Sequence, residues 1–386
     1  MEYTGERIGI GAAATEAVKE RRGGLDLPFL ALTLTLLTIG VVMVLSASYA
    51  RAYFSAATEH NAAYYFMRQL GFALAGVAAM YVFSLMPMQF YRRWSLALLL
   101  AAIGLLAVVP FIGVPQGDAK RWINLGFTTF QPSEIAKIAV ILYFAALICK
   151  FRGRMSTIKY GILPFAAVLL VIVALLVLEP HFSGAIIILA IGAVMLFLGG
   201  VRLYWFVGAL AVGAVGLGVV ITFFPYASGR ITTWLDPFAN TSGDGYQIIQ
   251  SLYAIGSGGL FGLGLGQGRQ KYLYLPEEHN DFIFPVVCEE LGFAGAMLIL
   301  LLFALLIIRG YWLAMHMRDR YSFLVTAGIT TLLAIQVFLN VAVVTNLVPC
   351  TGISLPFFSY GGTALMIQLA EMGIVLSAAR DIPAKI

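Results

Sequence analysis

The sequence predicts an all-α polytopic membrane protein with ten transmembrane helices, N- and C-termini cytoplasmic, and a large outer loop between helices seven and eight. Three observations predict it. Of 386 residues, 61% are hydrophobic and only 11% charged, where a soluble domain carries about 25% charged residues, so the surplus apolar surface must face lipid. The apolar residues fall into runs close to the length of about 20 that a helix needs to cross the hydrocarbon core. Lys and Arg concentrate in every second loop, the bias that marks cytoplasmic loops. The net charge of +5 is therefore a matter of topology, and no nucleic-acid partner is expected.

Taken in order, the runs are 28–48, 66–87, 94–113, 131–150, 161–179, 184–200, 204–225, 282–309, 321–345 and 361–379. The first follows Lys19, Arg21 and Arg22. It exceeds the 7–15 residues typical of a cleaved signal segment, so it reads as an uncleaved first span. The fifth and sixth runs are parted only by Pro180 to Ser183, and fusing them would leave nine spans. Basic residues argue against fusion: with ten spans, sixteen of the 24 Lys and Arg lie on the cytoplasmic side, whereas nine would carry Arg318 and Arg320 outside. The organisation expected is a cytoplasmic tail 1–27, a membrane domain 28–380 that includes an outer loop 226–281, and a short tail 381–386. The outer loop holds Trp234, Tyr246, Tyr253, Phe261, Tyr272 and Tyr274. Such aromatic content predicts a folded segment with amphipathic helical pieces rather than disorder. Cys149, Cys288 and Cys350 show no paired spacing, so neither a disulfide framework nor a cysteine metal site is expected.

Polar groups at membrane depth are costly and point to function, and four places hold them. Gln131-Pro132-Ser133-Glu134 reads as a helix start, with Pro in the first turn and an acidic residue favoured by the helix dipole. Glu134 and Lys137, three apart, can pair on one face, either as a structural ion pair or as part of a groove for a charged head group. Lys120, Arg121 and Trp122 lie just above, suited to phosphate and sugar contact or to interfacial anchoring. Asp281 stands where the outer loop becomes helix eight: a general base tuned by part-burial, or simply that helix's N-cap. Glu289 and Glu290 lie deeper and read as structural, one pairing with a basic residue and the other capping or bonding a neighbouring helix. His279 is weak evidence for a metal site. The Gly- and Pro-rich stretch 346–366 predicts a re-entrant or tightly turned segment, tolerated at depth only against protein or a water-filled cavity. In it Gly361 and Gly362 either let backbone approach a ligand or serve a packing turn. Glu179-Pro180-His181 forms a polar turn, and Glu371 reads as a buried hydrogen-bonding partner.

Three of these motifs, in order, resemble the SEDS proteins of bacteria (FtsW, RodA and SpoVE). The carrying residues are Arg121-Trp122 with Gln131-Pro132-Ser133-Glu134-Ile135-Ala136-Lys137; Leu275-Pro276-Glu277, Asp281-Phe282-Ile283-Phe284 and Glu289-Glu290-Leu291-Gly292; and Leu355-Pro356-Phe357-Phe358-Ser359-Tyr360-Gly361-Gly362-Thr363. The likeness runs from about residue 28 to 380, and Gly264 to Lys271 look closer to the division and sporulation branch (FtsW, SpoVE) than to RodA. The resemblance implies a peptidoglycan glycosyltransferase that polymerises lipid II in the bacterial cytoplasmic membrane, with the family's essential acid at Asp281 and its Glu and Lys at Glu134 and Lys137. It implies a class B penicillin-binding protein (a transpeptidase) as partner, alongside other cell-wall synthesis or division proteins. On that reading Asp281 takes the proton of the attacking GlcNAc 4-hydroxyl. Arg121, Lys137, Arg230, Arg269 and Lys271 are candidates to hold pyrophosphate charge. Gln131, Ser133, Glu134, Ser359, Gly361 and Gly362 complete the substrate-binding candidates. No cofactor is identified by the sequence; a divalent cation (Mg or Mn) could share the charge, and no ligand cluster demonstrates one. The family's usual Glu-Pro-Asp is here Glu179-Pro180-His181, which puts any role of that aspartate in doubt; Cys350 and Asn346 also depart from the common pattern. Two other readings stay open: a transporter that flips lipid II, resting on Glu134, Lys137, Glu289 and Glu371, and a non-catalytic scaffold that recruits a transpeptidase.

Overall fold

Long helices account for most of the computed structural model, which describes residues 23–382 apart from 117, 118, 127, 224, 242 and 244. In chain order they are α1 (Leu27–Phe54), α2 (Tyr64–Leu85), α3 (Met88–Ile112), α4 (Pro132–Lys150), α5 (Leu163–Leu178), α6 (Phe182–Gly199), α7 (Tyr204–Phe223), α8 (Pro225–Leu235), α9 (Tyr246–Ser257), α10 (Ile283–Met315), α11 (Arg320–Val344) and α12 (Gly362–Ala379). Among the described residues, nine helices are long and apolar enough to cross a membrane: α1 to α6, with α5 extended by the π-helical turn Ile158–Ile162, and α10 to α12. Helix α7, 20 residues long, lies in the seventh apolar run. Helices α5 and α6 are separate, broken at Glu179–His181, so the two-run reading of that stretch holds.

The core comprises α4, α11 and α12, whose residues are largely buried, with α2 packed along α12, α1 against α10, and α6 against α4 and α11. Small residues let these elements approach. A Cβ at Gly373 of α12 would lie 2.4 Å from the Met80 carbonyl of α2, and one at Gly328 of α11 would lie 2.7 Å from Ile141 of α4. Helix α7 is the exception: its described side chains are mostly exposed, and its main neighbour is α8.

Three features set up the site. The 113–131 connection, expected only as an outer loop, holds a small antiparallel sheet in the order β1 (Val114–Gln116), β2 (Ala119–Asn124), β3 (Thr129–Phe130). This is a departure from a purely helical chain: Trp122 and Ile123 are isolated between helices, too short a run to announce a strand. The long 226–281 loop is folded, as its aromatics predict, with α8, a 3₁₀ turn Pro237–Asn240 and α9. The segment 346–361 is re-entrant: Leu355 to Ser359 are buried, and a Cβ on Gly40, midway along α1, would sit within 3 Å of the Phe357 backbone.

Helix α10 is 33 residues long but broken at Gly292, whose φ of 68° and ψ of −173° are not helical. The left-handed φ favours glycine, and there is no room for a side chain: a Cβ would be 2.2 Å from the amide nitrogen of Gly262. The loop carrying Gly262 crosses the break and pairs with it like a strand. Leu263 N donates to Glu289 O and Gly264 N to Glu290 O, both at 3.0 Å, while Phe293 N and Ala294 N donate back to Gly259 O and Leu260 O. The backbone groups freed by the break are thereby satisfied inside the protein, as a lipid environment demands.

Candidate active site

A cavity of about 900 Å³ opens among α1, α2, α4, α6, α11, α12, the small sheet and the re-entrant segment. Its wall carries Arg51, Arg68, Arg121, Gln131, Ser133, Glu134, Lys137, His181, Glu277, Asp281, Gln336, Gln368 and Glu371. That much charge inside an apolar bundle has to be paired, hydrated or matched by a ligand.

Asp281 is half-buried, with one side open to this cavity. The N-cap reading does not hold: α10 begins at Ile283, its capping position is Phe282, and no capping side chain bonds there. Instead Ser354 Oγ donates to Asp281 Oδ1 at 3.1 Å, and Asn340 Nδ2 donates to the Asp281 carbonyl at 2.8 Å and to the Ile353 carbonyl at 2.6 Å. Burial pushes the Asp281 carboxyl up to about 6, against the Ser354 hydrogen bond, which lowers it; Glu277 adds to the rise, and Arg121 and Arg230 oppose it. A carboxylate near 6 is ionised at neutral pH, yet basic enough to take a proton.

Proline at the first turn of α4 and an acidic residue behind it start the helix as the sequence suggested. The expected Glu134–Lys137 pair forms, with Lys137 Nζ 2.7 Å from Glu134 Oε2. Glu371 reaches the same cavity from α12 and is 4% exposed. The burial expected for it is found, but the hydrogen bond is not formed among the described residues. The α5–α6 turn closes one side. Arg121 on β2 donates from Nη2 to the Pro180 carbonyl, and Gln131 Nε2 lies 3.4 Å from His181 Nε2. His181 is buried, which together with Arg121 and Lys137 pushes its imidazole down to about 3 and keeps it neutral. Buried polar atoms here without a hydrogen-bond partner include Arg121 Nε, Ser133 Oγ and His181 Nδ1.

The structure brings Arg121, Gln131, Ser133, Glu134, Lys137, Asp281, Ser359, Gly361 and Gly362 to one cavity. It uses some of them internally. Ser359 Oγ donates to the Asn280 carbonyl and accepts from Leu355 N, so its hydroxyl holds the turn. A Cβ on Gly362 would be 2.4 Å from the Phe72 ring, so this glycine admits α2, the packing reading of the two. Arg230 donates to the Cys350 carbonyl and acts on Asp281 through its charge alone. Arg269 and Lys271 are not brought to the cavity. Arg269 is exposed elsewhere, and Lys271, 2% exposed, pairs with Glu290 at 2.6 Å. Glu290 thus takes a basic partner as read from the sequence, whereas Glu289 accepts from the loop amides of Arg269 and Gln270.

Sequence reasoning missed Arg51, Arg68, Gln336, Gln368 and Ser354. Arg51 makes a two-pronged pair with Glu278, both contacts at 2.8 Å, beside the clustered rings of Tyr65, His279 and Tyr360. Burial pushes His279 down to about 3. Arg51 sits at the end of α1, where it reads as an interfacial anchor; Gln336 and Gln368 were visible only as polar residues inside apolar runs. No group of three His, Cys, Asp or Glu among the described residues has the proximity to hold a metal ion. The side chains present therefore do not form a cage for a resident divalent cation.

A family model described as "Cell cycle protein" (FtsW, RodA, SpoVE) matches residues 27–382. The chain belongs to this family. Among curated relatives of this FtsW–RodA–SpoVE member, stage V sporulation protein E of Bacillus subtilis is 39% identical over 92% of this chain and 97% of its own. The probable peptidoglycan glycosyltransferase FtsW of Trichlorobacter lovleyi is 41% identical over 91% and 92%. The resemblance to the division and sporulation branch is thus matched by relatives that carry those names. Solved structures share the fold. A chain from a study of how a peptidoglycan synthase complex coordinates polymerization and crosslinking superposes with a TM-score of 0.76 at 29% identity, covering 93% of this chain and 98% of that one. The rod shape determining protein RodA of Thermus thermophilus superposes with a TM-score of 0.68 at 27% identity, covering 94% and 99%.

Proposed function

We propose that this FtsW–RodA–SpoVE member is a peptidoglycan glycosyltransferase of the bacterial cytoplasmic membrane, that its substrate is lipid II, and that Asp281 is its general base. The observation that carries the assignment is the Asp281 carboxylate, held near 6 on the wall of a large polar cavity with Arg121 and Lys137 on the same wall. In the reaction, the GlcNAc 4-hydroxyl of one lipid-linked sugar attacks the anomeric carbon of the other molecule's MurNAc. The new glycosidic bond forms as the bond to pyrophosphate breaks, undecaprenyl pyrophosphate leaves, and the hydroxyl proton passes to Asp281. Arg121 and Lys137 offset the charge that builds on the pyrophosphate, as fixed cations do in other phosphate chemistry. Arg121 is suited to it because its Nε is buried without a protein partner. A divalent cation is expected to arrive with the pyrophosphate, since no group of three His, Cys, Asp or Glu among the described residues makes its site.

Topology follows the same reading: ten spans with α7 as the seventh, both termini cytoplasmic, and α8 and α9 in the outer loop. A class B penicillin-binding protein is the expected partner, because one structural neighbour comes from a synthase complex that couples polymerization to crosslinking. The deciding experiment is lipid II polymerisation by the purified full-length chain with its transpeptidase partner, wild type against Asp281→Asn. Glycan from wild type and none from the folded variant supports the assignment. Equal glycan from both removes Asp281 from the chemistry, and none from either favours flippase or scaffold.

A further inference from the structure

The turn 352–354 curls around the Asp281 carboxylate without contributing a charge. We propose that Ser354 is a positioning residue for Asp281, its hydroxyl fixing the carboxylate's orientation and favouring its ionised form, with Asn340 holding the turn that presents it. This rests on Asp281 being the base.

Four observations carry it. Ser354 is the side chain whose hydroxyl reaches Asp281 Oδ1, at 3.1 Å. Gly352, at φ +65°, lies against the other oxygen; a Cβ there would be 3.1 Å from Oδ2, so this oxygen stays uncrowded because no side chain is present. Asn340 of α11 is 1% exposed. Its amide donates to the carbonyls of both Asp281 and Ile353, which locks the residue before Ser354 to the backbone of the residue that Ser354 serves. Ser354 faces the cavity rather than the packed interior, so its hydroxyl is not needed to fill space. The carboxylate is thus held on one oxygen and left accessible on the other, the arrangement a base needs to present one lone pair in a defined direction.

A hydrogen bond to the ionised carboxylate lowers its proton affinity. The charged and titratable groups around Asp281 are Glu277 in the preceding loop, Arg121 on β2, Arg230 on α8 and Cys350 in the re-entrant segment; none is removed by changing Ser354. The test is the pH–rate profile of lipid II polymerisation between pH 5 and 8.5, using the full-length chain with its partner. Ser354→Ala is expected to move the acid limb up by about 0.5 to 1 pH unit, the scale of one partly solvated hydrogen bond to a charge. Its loss of rate is therefore greatest at low pH. Ser354→Thr, which keeps the hydroxyl, returns the limb to the wild-type position, and Ser354→Cys, a weak donor, falls between. A Ser354→Ala limb that overlays wild type, or a loss equal at every pH, overturns the proposal while leaving the base assignment intact. An Asp281→Asn enzyme as active as wild type overturns both.

Discussion

Two clusters of charge lie within this helical bundle, and they differ in how completely their polar atoms are satisfied. In the first, Lys271 Nζ donates to Glu290 at 2.6 Å and to Ser46 Oγ at 3.0 Å, Ser46 Oγ donates to Glu290 at 2.7 Å, and Gly266 N donates to the same carboxylate at 3.1 Å. Glu289 beside it accepts from the amides of Arg269 and Gln270. In the cavity, by contrast, Arg121 Nε, Ser133 Oγ and His181 Nδ1 have no partner, and two carboxylates, Glu134 and Glu371, share the neighbourhood of one Lys137. Charge at membrane depth is therefore an incomplete signal of function. A saturated network fastens the broken helix α10 to α1 and to the glycine-rich loop, whereas an unsaturated one has capacity left for a ligand.

The comparison can be broken most directly at Asp281. Asp281→Asn is expected to lower polymerisation by at least about 100-fold, the scale of a lost general base, with the melting temperature of the detergent-solubilised protein little changed. Lys271→Met should do the reverse. It leaves Glu290 buried without its cation, at a cost of about 3–5 kcal/mol, so folded yield falls. Combining it with Glu290→Gln should recover most of the yield. If Lys271→Met instead folds normally but loses activity, Lys271 belongs to the chemistry and the division between the clusters is wrong. Gly262→Ala, whose Cβ would meet the Glu290 carbonyl at 2.1 Å, should destabilise by about 1–3 kcal/mol through overpacking; thermal unfolding of the purified variant measures it. The smallest effect is on pH dependence. Because the Asp281 carboxyl is raised to about 6 and acts deprotonated, the rate should climb through pH 6 and flatten above it. It should fall about tenfold between pH 6 and pH 5 at most. A rate that is flat from pH 5 to 8 would place the base elsewhere.

The fraction legible in the sequence follows from which signals are local. Apolar runs, the Pro132 helix start and the Glu134–Lys137 spacing depend on neighbours a few residues away, and each is found where the sequence places it. The break at Glu179–His181 was marked by its proline and polar flanks. The strand β2 was not legible, since its pairing partners Val114–Gln116 and Thr129–Phe130 are brief. Lys271 could not be told from Arg121 either: both are basic residues in segments between apolar runs, and only the fold decides that one meets Glu290 while the other faces the cavity.

By itself, then, the sequence determined that the chain is a bundle of membrane-length helices and which motifs hold its polar groups, because hydropathy and charge act through solvent and need no tertiary partner. Only the tertiary structure decided which of those groups are saturated. It paired Lys271 with Glu290 nineteen positions away, brought Ser354 to Asp281 across 73 positions, and left Arg121 open to the cavity. The strength of a charge or hydrogen bond in a low-dielectric interior depends on its few nearest partners, and distance along the chain does not report them.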